Sequence, residues 1–554
     1  MVTHKKTRIK MKKTMRYLSM AALIFVGTMM TGCSSDSEEF INSNQPELPA
    51  DNVVTLTTTI SRDYENSTRA LTEGGVKTFE AGDEVGVVYQ QTDDSYEKEV
   101  VTLAAGDITN EGKSARITVT LTNPKTDGVV KYVYPASMAK SDGSGEFWRL
   151  FEQQDGTLSK LAREFDFAKF EGTFNGTELP KGTLRNQLAI CKFTIKDGDS
   201  NDITSQLTRL TIKNGTDVYY INTSSLDNIW VALKPITSGN INIYAAVTWK
   251  LYKKTVTSNT TLAANTLTPI TVTAPVVPGA LSGLFTINES NDLVYFSQGN
   301  LQTSYNSTDK WNNWKFADYQ HEFVSKETIK ITYPDEGEKI DLFGRSSWTH
   351  PAGSNNYGID ESDDESDYYG DFLDWSEVDI KNGGGRNKWH TPSVSELDEI
   401  LFYRFSEAHV AGIVNARFMR VQLGAAGDNV KGVVIFPDHY VHPTLTNTTI
   451  TADDINEQST PGVILHWDDW GKMEAAGAVL LPCAGLREKD HVYLRPFEYP
   501  AGRYWTSANG NGTYGGQCLE MGKRENGDFI FDINTFSRSY GYSVRLIGPG
   551  SANQ

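Results

Sequence analysis

Along the first half of the chain, apolar and polar residues alternate. Arg116-Ile117-Thr118-Val119-Thr120-Leu121-Thr122 changes character at every position. The spacing of Ile241, Ile243, Ala245, Val247 and Trp249 is the same, and so is that of Val54, Leu56, Thr58 and Ile60. Successive side chains of a strand point to opposite faces, so a period of two predicts strands with one buried face. Glu73-Gly74-Gly75, Ala81-Gly82-Asp83, Thr126-Asp127-Gly128 and Lys213-Asn214-Gly215 punctuate these runs as turn signals. No long helical period interrupts them. The pattern predicts a mainly β protein that opens with a tandem antiparallel β-sandwich over residues 51–181 and 182–273, with the break near Gly182.

The character changes after Ala274-Pro275-Val276-Val277-Pro278-Gly279, a stiff linker over 274–282. Most of the 11 Trp residues lie beyond it. Ser393 and Glu396 form a capping-box signature ahead of Leu397, Ile400 and Leu401, which share one helix face. A second helix is expected from about Asp468 to Ala476, closed by Gly477, with Asp468 or Asp469 as its cap and Trp470 and Met473 facing inward. Strands are expected at 433–435, 479–481, 504–506, 529–531 and 543–547. An α+β domain over 283–548 follows.

The start of the chain reads differently again. Lys5, Lys6, Arg8, Lys10, Lys12, Lys13 and Arg16 precede an apolar run from Tyr17 to Met30, and Thr31-Gly32-Cys33 ends it. A basic leader, a short apolar stretch and small residues before a cut describe a signal peptide over residues 1–32. The apolar run is short of the ~20 residues that span a bilayer. The ending resembles the lipobox of bacterial lipoproteins, which implies acylation at Cys33. Residues 33–50 then read as a tether; its Ser34-Ser35-Asp36-Ser37-Glu38-Glu39 resembles the acidic surface-export signal of Bacteroidetes lipoproteins. The expected address is the cell outer membrane, exposed to the outside.

Charge and cysteine narrow the function classes. Of 554 residues, 52 are Lys or Arg and 70 are Asp or Glu, for a formal net charge of −18. Such a surface repels phosphate backbones, so no nucleic-acid partner is expected. With four cysteines, one of them at the lipid position, no disulfide framework holds the fold. Cys483 and Cys518 are read either as a pair or as two buried thiols.

Two resemblances cover most of the chain. Ser67-Thr68-Arg69-Ala70, Phe79-Glu80-Ala81-Gly82-Asp83-Glu84-Val85-Gly86-Val87, Lys131-Tyr132-Val133-Tyr134-Pro135 and Asn186-Gln187-Leu188-Ala189-Ile190 resemble, in order, the fimbrillin (FimA/Mfa-like) family of Bacteroidetes pili. That resemblance implies proteolytic processing between Arg69 and Ala70, release of the strand Val53–Ile60, and assembly with other pilus subunits by donor-strand exchange. Trp389-His390-Thr391-Pro392, Leu481-Pro482-Cys483-Ala484-Gly485-Leu486-Arg487, Tyr504-Trp505-Thr506-Ser507 and Ser543-Val544-Arg545-Leu546 resemble the Fibrobacter succinogenes major paralogous domain, a C-type-lectin-like fold. Trp389, Trp505 and Arg545 read as architectural there.

Candidate binding chemistry is sparse. Asp360, Asp363, Asp364 and Asp367 cluster in one acidic run and supply the hard oxygens that calcium prefers, though in no EF-hand spacing. A solvated charge run is the competing reading. Trp467 and Trp348 are candidate ligand-stacking residues. No H-E-x-x-H, G-x-S-x-G or phosphate loop is present, and no catalytic residue is assigned. The expected function is a pilus tip or accessory adhesin at the cell surface and in fimbriae, contacting a glycan or host-surface ligand through its C-terminal domain. The alternative is a lipid-anchored surface protein that captures polysaccharide.

Overall fold

The computed structural model describes residues 52–62, 78–256, 261–348, 356–424, 430–458, 462–494, 502–510, 515–523 and 529–549. Cys33, Arg69 and Ala70 lie outside them. From Asn52 onward the chain forms one compact unit. Among the described residues no helix is long and apolar enough to cross a membrane.

The alternating runs are strands. The first eight are β1 (Val53–Arg62), β2 (Glu84–Gln90), β3 (Tyr96–Thr102), β4 (Ile108–Thr109), β5 (Ser114–Thr122), β6 (Val129–Tyr134), β7 (Ala168–Thr173) and β8 (Gly182–Asn186). They form one sheet in the order β3-β2-β6-β7-β8-β1-β5-β4. It curls on itself: Ile60, Ile117, Val119 and Leu121 from one half meet Val85, Val87, Val130 and Tyr132 from the other in a single core. Burial in β5 alternates at each step, as a period of two requires.

The next seven strands are β9 (Ala189–Lys196), β10 (Leu207–Asn214), β11 (Asp217–Asn222), β12 (Ile229–Leu233), β13 (Ile241–Val247), β14 (Lys250–Val256) and β15 (Thr266–Thr273). A four-stranded sheet, β11-β10-β13-β14, faces a three-stranded one, β12-β9-β15. β8 still belongs to the first sheet, so the change of sheet falls between Asn186 and Ala189. The pairing is antiparallel except for β1 with β8 and β9 with β15. Short helical turns at Trp148–Glu152 and Leu158–Lys160 lie between the sandwiches, and Leu150, Leu161 and Phe165 join their core to that of the second sandwich. These turns are too short to show a helical period in the sequence.

The linker is not a free hinge. Val277 donates its amide to Leu251 O and Lys253 donates to Pro275 O, which stitches the linker to β14. Beyond it, short strands fill several small sheets. Leu293–Phe296 pairs with Ile547–Pro549, closing the two ends of the region together. A five-stranded sheet holds Gly502–Asn509, Gly515–Lys523 and Phe529–Ser537, and a four-stranded one holds Phe418–Leu423, Val430–Ile435 and Val479–Pro482. Ser393 caps Val394–Asp398, and Glu396 completes the box with the Ser393 amide. The second helix is Trp467–Ala475, ended by Gly477 at φ +96°. Trp470 and Met473 are buried as expected, but neither Asp468 nor Asp469 caps it. His466 occupies the cap position, and buried Asp469 turns instead to the amides of Thr446 and Asn447. Trp389, Trp505 and Arg545 are all buried.

Buried arginines tie this part together. Arg487 donates to the carbonyls of Leu342, Gly358, Asp360 and Lys489. Arg345 donates to those of Thr506, Ser507 and Ala508, and Arg538 to those of Gly515, Tyr368 and Gly370. Burial lowers the pKa of Arg345 to about 9 and of Arg545 to about 10, so both stay charged at neutral pH. A further arginine joins the two parts. Arg209 of β10 donates to Asp438 O at 2.9 Å and His439 O at 2.6 Å, and the Tyr220 ring packs 3.9 Å from that of His439.

Candidate functional site

Two features stand apart from the packing: the first strand and an exposed group of aromatic rings.

β1 is held unequally on its two sides. Its whole length pairs with β5, from Val53 opposite Thr122 to Ser61 opposite Ser114. On the other side it meets β8 only at Ile60–Arg62. Thr58 adds a hydroxyl bond of 3.1 Å to Pro180 O. On the exposed face, Thr55 and Thr57 hydrogen-bond across to Thr120 and Thr118 at 3.0 and 2.9 Å. Ile60 is fully buried, while Val54 and Leu56 are partly buried against the core.

The end of β1 carries a charge into that core. Arg62 is buried and pairs with buried Asp166 at 2.8 Å, and Asn186 donates to the other oxygen of the carboxylate. The guanidinium lies 4.4 Å from the Tyr134 ring centre and 5.3 Å from that of Phe79. Removing Arg62 would take the countercharge from buried Asp166, which keeps its Asn186 bond, a loss on the order of 3–5 kcal/mol. Arg62 continues the alternating face of Val54, Leu56, Thr58 and Ile60, but a charged residue there does not mark itself as buried in the sequence.

The second feature surrounds Trp467. This indole is 38% exposed and lies 4.8 Å from His321, with 64° between the ring planes. Tyr319, 64% exposed, stacks on His321 at 5.4 Å and 22°. Gln320 points the opposite way and is buried. Its amide donates to Glu474 Oε1 at 3.0 Å and Ala478 O at 3.1 Å, and it accepts from Leu480 N at 2.8 Å and Arg545 at 3.1 Å. Trp467 and Glu474 are seven residues apart and so share a helix face. The bonds of Gln320 thus hold the 319–321 turn against the helix that carries Trp467. Burial keeps the His321 pKa below its ordinary value, so the ring is neutral at physiological pH. Tyr319 and His321 were not singled out in the sequence; the one signal was an aromatic on each side of a glutamine.

The acidic run does not converge on a cation. Asp363 pairs with Lys489 at 2.7 Å, Asp364 accepts from the Ser366 amide, Asp360 from the Ser362 amide, and Asp367 from the Ser362 hydroxyl. Among the described residues no three His, Cys, Asp or Glu side chains are placed to hold a metal ion. Trp348 is 60% exposed, and its amide donates to Asp371 O at 3.2 Å. It does not join the Trp467 group. Cys483 and Cys518 are both buried and unpaired, and burial pushes both thiols up, Cys483 to about 12. Such thiols stay protonated and pack as small apolar groups.

The sequence matches no family model and none of the curated proteins. Among solved structures it is similar to a candidate cell adhesion protein from Bacteroides uniformis, at 16% identity and a TM-score of 0.23, over 40% of this chain and 96% of that one. A candidate cell adhesion protein from Bacteroides ovatus is similar at 10% identity and a TM-score of 0.24, over 41% and 95%. The minor pilin of Streptococcus agalactiae is similar at 12% identity and a TM-score of 0.18, over 40% and 97%.

Proposed function

We propose that the chain is a non-catalytic surface adhesin, lipidated at Cys33 during export, that joins a pilus through its first sandwich and contacts a ligand through its C-terminal part. The observation that carries this reading is the attachment of β1. It is paired throughout on one side and only at its end on the other, and Arg69 lies in the segment that follows it. A cut after Arg69 would sever β1 from the rest of the fold without breaking any other strand among the described residues. Its loss would bare the β5 edge, the apolar seats of Leu56 and Ile60, and Asp166. Unpaired strand edges with apolar seats are what an added strand fills, through ladder hydrogen bonds and side chains together. The bulky C-terminal part suits a tip or accessory position rather than a repeating stalk.

An Arg69→Ala chain tests this. It is expected to fold and reach the surface, to remain lipid-bound, and to be absent from sheared pili. Its normal incorporation into pili would refute strand replacement at this position. A second reading, a permanently lipidated glycan-capture protein, is favoured by the exposed rings around Trp467, which need no pilus to act. In that case wild-type and Arg69→Ala chains would both stay at the membrane.

A further inference from the structure

We propose that Tyr319, His321 and Trp467 form a binding seat for the pyranose rings of a neutral oligosaccharide. The proposal rests on reading the C-terminal part as the one that makes contact, and adds to it the place and the class of ligand.

The geometry comes first. The Tyr319 and His321 ring planes run nearly parallel at 22°, and the Trp467 indole meets that of His321 at 64°. Tyr319 and Trp467 are both exposed, so the group offers aromatic surface to solvent around the half-buried His321. One face of a pyranose ring is mostly C–H, and those hydrogens carry a small positive charge. They pack well on the negative face of an aromatic ring, and both surfaces shed water in doing so. The seat is also fixed in advance. Gln320 anchors the Tyr319–His321 turn to Glu474, to the 478–480 backbone and to Arg545, so little order has to be gained on binding.

The rim selects against charge. Asp318 and Glu322 flank the turn, yet Asp318 pairs with Lys315 at 3.0 Å, and Glu322 accepts the Asp318 amide at 3.0 Å. Asp468, next to Trp467, is exposed. Carboxylates placed this way accept hydrogen bonds from hydroxyl groups. In a chain of net charge −18 they repel uronic and sialic acids. A cationic ligand would call for rings closing around it and for acids not already engaged. Asp318 is already neutralised by Lys315, while each carboxylate keeps acceptor sites for hydroxyl groups, so a neutral sugar is the matching ligand.

The test titrates the purified full chain with maltohexaose, mannohexaose, cellohexaose, xylohexaose and laminarihexaose, read by calorimetry and tryptophan fluorescence. At least one should bind saturably. Trp467→Ala and Tyr319→Ala should each weaken it by about tenfold or more, with unchanged melting temperature. Trp348→Ala should leave it as it was. The proposal is overturned if no member of the panel binds, if both variants bind as the wild type does, or if a lysine-rich peptide binds at the same rings instead. Incorporation of Trp467→Ala into pili is scored separately: normal incorporation with no sugar bound by any form refutes the seat and leaves the assembly reading intact.

Discussion

The first sandwich and the C-terminal part are both mostly strand, yet different partners hold them. In the first, β1 and β5 run side by side without a break in register, and their inward residues feed one core. In the second, strands range from two to nine residues, and guanidinium groups from distant segments satisfy the loop carbonyls. Arg487 reaches carbonyls 127 to 145 residues earlier. A ladder spreads its stabilisation over many equivalent bonds, each worth roughly 1 kcal/mol. A buried arginine concentrates it in one side chain. Under the proposed function the first kind of structure gives up one strand and takes another, whereas the second is expected to lose its loops with one residue.

The sharpest way to break the contrast is Arg487→Met. It removes the Arg487 bonds to the carbonyls of Leu342, Gly358 and Asp360, of which Gly358 keeps the Gly344 amide, at a cost of roughly 3 kcal/mol. Amide exchange should quicken around 342–348, 356–360 and 485–490, with the strands at 53–62, 84–90, 114–122 and 129–134 protected as before. Ile117→Ala is expected to cost about 3 kcal/mol by opening a cavity in the first core. Faster exchange should then be confined to the first sandwich, as measured by the same method. If the two variants loosen the same segments, the two parts do not differ in the way described.

Asp341 gives a smaller, pH-dependent effect. It is fully buried, one oxygen accepts the Val324 amide, and burial raises its pKa to about 7. The unfolded chain releases this proton near pH ~4, the folded chain only near 7. The folded state therefore holds more protons between those values, and stability falls as pH rises through that window. Asp341→Asn should flatten that slope and be more stable than wild type at pH 8 by on the order of 1–3 kcal/mol. Urea unfolding at pH 5 and pH 8 checks the sign. Thr57→Val should do least. It removes a 2.9 Å hydroxyl contact on an exposed face, and β-branching is kept, so a change within about 0.5 kcal/mol is expected in the same assay.

The same contrast explains what the sequence made legible. The strand at 114–122 could be read because its burial alternates with its own sequence, whereas 241–247 shows the same alternation of residue types but is buried on both faces from Ile241 to Ala246, so its sequence marks the strand and not the second covered face. The Ser393–Glu396 box could be read because it closes within four residues. The cap of the second helix could not. Asp469 is a good cap by type, but tertiary contacts with Thr446 and Asn447 claim it, and no local pattern records them. Trp467 stands out by residue type, whereas Tyr319 and His321 gain meaning only once Gln320 is seen to bind Glu474, on the helix face that carries Trp467. The four aspartates at 360–367 read in sequence as a cluster that either offers oxygens to calcium or is a solvated charge run, and their bonds to local turns and a lysine are legible only in the structure. Arg62 was hidden for a related reason: a charged residue on the buried face of a strand becomes intelligible once Asp166 is seen beside it.

The central claim is that β1 is the replaceable strand. Peptide mapping by mass spectrometry of this protein in fibres sheared from cells tests it directly. The account predicts a chain that begins at Ala70, with no peptide from Val53–Arg62 in the same molecule. Recovery of fibre-incorporated chains that still carry Val53–Arg62 joined through Arg69 would contradict it.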